Sequence, residues 1–120
     1  MRMNTNNMKH KVVYNTAVSG GLHLSDEAIT WLRERGLVVE VDSGRGNGFV
    51  TNIPRHSHLL VECIETLGEV ANGPENGWVS RADLKVAHIH GKHYYIDDHD
   101  GAGEEVIDIT KTIDASIDYL

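Results

Sequence analysis

The order of signals between Lys11 and Gly36, KVVYNTAVSGGLHLSDEAITWLRERG, constrains this chain more than any other stretch. Val12, Val13 and Tyr14 favour a half-buried strand. The Gly20-Gly21 pair lets the backbone turn through positive φ. Ser25 stands at a helix N-cap, with Asp26 and Glu27 in the first turn, where the macrodipole favours negative charge. Leu24 and Ile29 have the spacing of a hydrophobic staple, and Arg33, Arg35 and Gly36 mark the helix end. A strand, a tight loop and a capped amphipathic helix are therefore expected in that order.

A second helix is predicted from Ser57 to Asn72-Gly73-Pro74, its apolar face set by Leu60, Cys63, Ile64 and Leu67. Cys63 on that face reads as a buried structural thiol. LVVEV after Gly36 reads as a short strand, and SGRGNG, from Ser43 to Gly48, as a connector. Trp78, in the loop Pro74 to Arg81, either caps the core edge or stands exposed. Leu84 to Asp98 reads as a hairpin turning at Gly91-Lys92. In that register His88, His90 and His93 share one face, while Ala87, Ile89, Tyr94 and Ile96 line the side expected to be buried. Residues 1–10 read as a flexible leader, residues 11–103 as one domain, and residues 104–120 as an acidic amphipathic tail. In that tail Val106, Ile109, Ile113, Ile117 and Leu120 recur at three- and four-residue steps, the spacing of an amphipathic helix.

Charge narrows the partners. Eight of the 18 acids but only one of the 11 basic residues fall between Asp97 and Leu120, so the net charge of -7 belongs to the C-terminal stretch. The basic residues before it are scattered singly, whereas phosphate-backbone binding needs them clustered. Nucleic acid is not an expected partner. No apolar run approaches the roughly 18 residues that span a bilayer, so no membrane is expected either. One cysteine and no apolar h-region near the start fit a cytoplasmic protein.

Three constellations carry candidate chemistry. Arg55-His56, just before a helix N-terminus, is placed to meet an anion, with Tyr14, Asn15, Gly20, Gly21 and His23 supplying the loop beside it. These seven residues form the candidate ligand site, for a nucleotide-like anion. His88, His90 and His93 form the candidate site for a divalent transition metal, with Asp97, His99 and Asp100 near enough in sequence to complete it or orient its ligands. The acidic tail 104–120 is the candidate surface for homo-oligomer formation.

Three blocks carry a family resemblance: VVYNTAVSGGLHLSDEAI from Val12, IPRHSHLLVECIETLGEVANG from Ile53, and DLKVAHIHGKHYYIDDHDG from Asp83. Their order resembles that of a family of small proteins of tailed phages and prophages. The chain departs from it at Leu22, where an aromatic residue is usual, in the longer link ENGWVSRA, and in the GK turn flanked by histidines. A histidine metal site would therefore be peculiar to this chain. The resemblance implies a phage origin and work in the host cytoplasm, by binding a host protein or sequestering a small signalling molecule.

Together these readings predict an α+β domain, two helices packed on a small mainly antiparallel sheet. The expected role is that of a phage accessory protein acting by binding. A ligand-binding or enzymatic domain and a metal-binding protein are the alternatives.

Overall fold

The structure, a computed structural model, describes residues 10–42, 48–99 and 101–109. Among these residues it is an α+β fold with two α-helices and two small antiparallel ribbons. Strand β1, His10–Asn15, is followed by the glycine turn and helix α1, Asp26–Glu34. Helix α2, His58–Leu67, runs into a 3₁₀-helix, Gly68–Ala71. Strands β2, Leu84–Ile89, β3, Tyr94–His99, and β4, Gly103–Asp108, complete the order.

The first helix forms as its sequence dictates. Ser25 Oγ accepts the Ala28 N–H at 3.1 Å and donates to the Val70 carbonyl at 2.6 Å, so one hydroxyl caps α1 and ties it to the 3₁₀-helix. Ala28, Ile29, Trp31 and Leu32 are buried on one face. Ser57 caps α2, and Leu60, Val61, Cys63 and Ile64 form its buried side. The two helices pack on each other, and α2 covers both β1 and β2. Val13, Leu84 and the half-buried Val86 bring the ribbon into the helical core.

The strands pair otherwise than expected. Leu84 to Asp98 is not a hairpin: β2 pairs with β1, setting Val13 opposite Val86, and β3 pairs with β4, setting Ile96 opposite Val106. β2 takes a partner distant in sequence, β1, whereas β3 pairs with the strand that directly follows it, β4. LVVEV is not a strand, contributing a single bridge from Val41 to Val50. Residues 104–108 are strand rather than helix, so the expected boundary at residue 103 falls inside the folded body, and His10 of the expected leader belongs to β1. Residues 1–9, most of the glycine connector and residues 110–120 of the expected tail lie outside the described residues. Among the described residues, no helix is long and apolar enough to cross a membrane.

Candidate functional site

The anion geometry expected around Arg55 is present, and the chain fills it itself. Arg55 is tied to β1 by both backbone and side chain, since its carbonyl accepts the Val13 N–H at 2.8 Å and its Nη1 donates to the Val13 carbonyl at 3.3 Å. Gly20 and Gly21, at φ 63° and 80°, bend the following loop so that the Gly21 N–H points into the same space. Glu104, projecting from β4, occupies that space. Its Oε1 accepts the Asn15 N–H at 2.8 Å and Arg55 Nη1 at 2.7 Å. Its Oε2 accepts the Gly21 N–H at 2.7 Å and Arg55 Nη2 at 3.0 Å.

This is a bidentate, charge-assisted pair completed by two backbone donors. The Glu104 side chain is 3% exposed and that of Arg55 18%. Burial pushes the Glu104 carboxyl upward, but its hydrogen bonds to Arg55, the guanidinium charge and the two N–H donors outweigh it. The net shift is below the ordinary carboxylate range. With four donors on its two oxygens, the carboxylate is a clasp between β4, β1 and the entrance to α2.

Asn15 is equally committed. Its buried amide donates to the Gly20 and Gly21 carbonyls at 3.1 and 3.0 Å, and its Oδ1 accepts the N–H groups of Ala17 and Asp83. It shapes the turn and holds the approach to β2. Gly103, at φ +86°, brings β4 against this corner so closely that a Cβ there would lie 2.4 Å from the Thr16 carbonyl oxygen.

The remaining expected ligand residues diverge from this clasp. His23 is buried and stacks on Phe49 with ring centroids 4.5 Å apart. Gly73 lacks the Cβ that would sit 2.1 Å from its ring. Tyr14 is half-buried in β1 opposite Lys85. His56 turns away from Arg55: its Nδ1 lies 2.6 Å from Tyr94 Oη. Burial holds that phenol above its ordinary value, so it stays protonated at neutral pH. His56, His10, Lys11, Val61 and Glu65 line an open groove of about 440 Å³, which Lys11 and Glu65 enter as an ion pair at 2.8 Å. The structure thus joins Asn15, Gly20, Gly21 and Arg55 in one place, and sets Tyr14, His23 and His56 elsewhere.

The histidines expected to share a hairpin face are distributed by the strand pairing. His88 lies opposite Lys11 in the β1–β2 ribbon, the His90 N–H donates to Asp108 Oδ2 at 3.1 Å, and His93 stands before β3. Among the described residues, the set of three whose ligating atoms converge is instead Asp97, His99 and Glu105, on the β3–β4 ribbon. Cys63 is buried as expected, and burial pushes its thiol up to about 11.

Glu104 is the residue that sequence reasoning assigned to the tail. A signal for it was present. Val106, Ile107 and Ile109 are β-branched, which favours a strand and places Glu104 and Glu105 on opposite faces. An arginine placed to hold an anion can equally be met by one of the chain's own acids, as Arg55 is by Glu104. No protein-family model, curated protein or solved structure matches the chain.

Proposed function

We propose that this chain is a phage accessory protein that works in the host cytoplasm by binding a host protein, and that the loop carrying Trp78 is its contact. The phage origin rests on the resemblance of the three blocks. The contact rests on one observation: Trp78, the chain's largest side-chain type, is 102% exposed. It stands at the tip of a tight turn in which Asn76 and Val79 exchange both backbone hydrogen bonds at 2.9 Å, with Gly77 at φ 59°. The turn is braced on the glycine loop, where the Ser80 N–H donates to Ser19 Oγ at 2.8 Å. Val18, beside that clasp, is also exposed.

A tryptophan held out on a braced turn adds nothing to the core, yet it is the residue type that most often dominates protein interfaces. Preorganisation lowers the cost of fixing it on binding. The groove beside His56 favours the small-ligand alternative, but its one lysine is already paired with Glu65. The reading is tested by immobilising the tag-free chain and its Trp78→Ala variant and passing host-cell extract over both. A discrete host protein retained by the wild type and lost from the variant supports it; identical retention by both overturns it. The variant keeps the wild-type melting temperature, because the indole touches no core.

A further inference from the structure

We propose that the outward face of the β3–β4 ribbon binds a divalent transition-metal ion through Asp97, His99 and Glu105. The register sets Asp97 opposite Glu105, and His99, two residues along β3, lies on the same face. His99 Nε2 lies 2.9 Å from Glu105 Oε1 and 3.6 Å from Asp97 Oδ2, and one ligating atom from each of the three lies within 4.8 Å of the others. Two ligands each about 2.1 Å from one zinc-like ion stand roughly 3.0 Å apart at an octahedral angle and roughly 3.4 Å apart at a tetrahedral one. The two distances from Nε2 bracket that range. Two of the three ligand spacings are thus already those of a coordination sphere, and the two carboxylates, with oxygens within 4.8 Å of each other, close the third on an ion.

The backbone beneath them is pinned from behind. Glu104, next to Glu105 but on the opposite face, is clamped by Arg55 and two backbone N–H groups, and Gly103 is pressed on the Thr16 carbonyl. Directly opposed carboxylates on a sheet repel, and a cation between them removes that cost. One imidazole with two carboxylates suits zinc, nickel, copper or manganese. Calcium takes six to eight oxygen ligands and no nitrogen. Water completes the coordination on the open side. The site is independent of the Trp78 loop and of the contact proposed for it.

The test is calorimetric titration of the full-length chain, without a histidine tag, with Zn²⁺. The wild type takes up one equivalent saturably. His99→Ala and Glu105→Gln each weaken that uptake at least about tenfold, while a variant with His88, His90 and His93 all changed to Ala keeps it. The three proposed ligands are about half exposed, with side-chain exposures of 44% to 59%, so the substitutions leave the fold intact, and circular dichroism checks this. Asp97→Asn is a third variant expected to weaken uptake. No saturable uptake, or uptake unchanged by His99→Ala, overturns the site.

Discussion

At the scale of single residues, Arg55 and Glu104 matter most. Removing one member of a buried, hydrogen-bonded ion pair strands the other and costs about 3–5 kcal/mol. That is a large part of the about 5–15 kcal/mol that holds a domain of this size folded. Arg55→Ala and Glu104→Ala are each expected to lower stability by that much in urea melts. The double variant should cost less than the sum, because the second substitution removes a charge already stranded. Glu104 also sets an acid limb. Its carboxyl lies lower in the folded chain than in the unfolded one, so its contribution is complete above the ordinary carboxylate range. It is lost as pH falls through the folded value, and stability against pH should fall less steeply on the acid side in Glu104→Gln. Cys63 gives a second residue-scale prediction. With its thiol at about 11 and its side chain in the core, it should react with a thiol reagent only when the chain opens, and rapidly in denaturant.

Among the elements, the two helices were legible because their signals are local. Ser25 and Ser57 cap within three residues, and the buried positions recur at helical spacing. The ribbons were not, because β2 pairs with β1, far back in the chain, and β3 pairs with the strand after it rather than the one before. Gly91-Lys92 has the chemistry of a hairpin turn, yet β2 loses its pairing edge to β1, whose Val12 and Val13 are fully buried. β3 is then left for β4, which the three- and four-residue steps running on from Val106 to Leu120 disguised as the start of a helix. The candidate ligand loop was half legible. Asn15, the glycine pair and Arg55 do converge, but the anion is Glu104, and no local pattern links residues 55 and 104. Truncation tests this account of the elements. Ending the chain after Gly103 removes β4 and leaves Arg55 without its carboxylate, so cooperative unfolding should be lost or its midpoint sharply lowered. A chain ending at Ile109 keeps the Glu104 clasp and both ribbons and should still unfold cooperatively.

For the whole molecule, the acidic excess takes on specific duties. Glu104 closes the fold on Arg55, Glu105 and Asp97 face outward as two of the ligands proposed for a metal ion, and Asp98 lies on the inward side near Gly20. The helical core and β1–β2 form a scaffold, and the clasp holds the second ribbon to it. From that scaffold the turn at Trp78 projects the one indole that the core does not use, since Trp31 is buried in α1. The most direct test is photo-crosslinking in the host cell, with a photoreactive phenylalanine analogue placed at position 78 and, as control, at exposed Glu34 on α1. A discrete host protein attached from position 78 and absent from position 34 is the result predicted. Equal, diffuse labelling from both positions would contradict the claim that this chain works through Trp78.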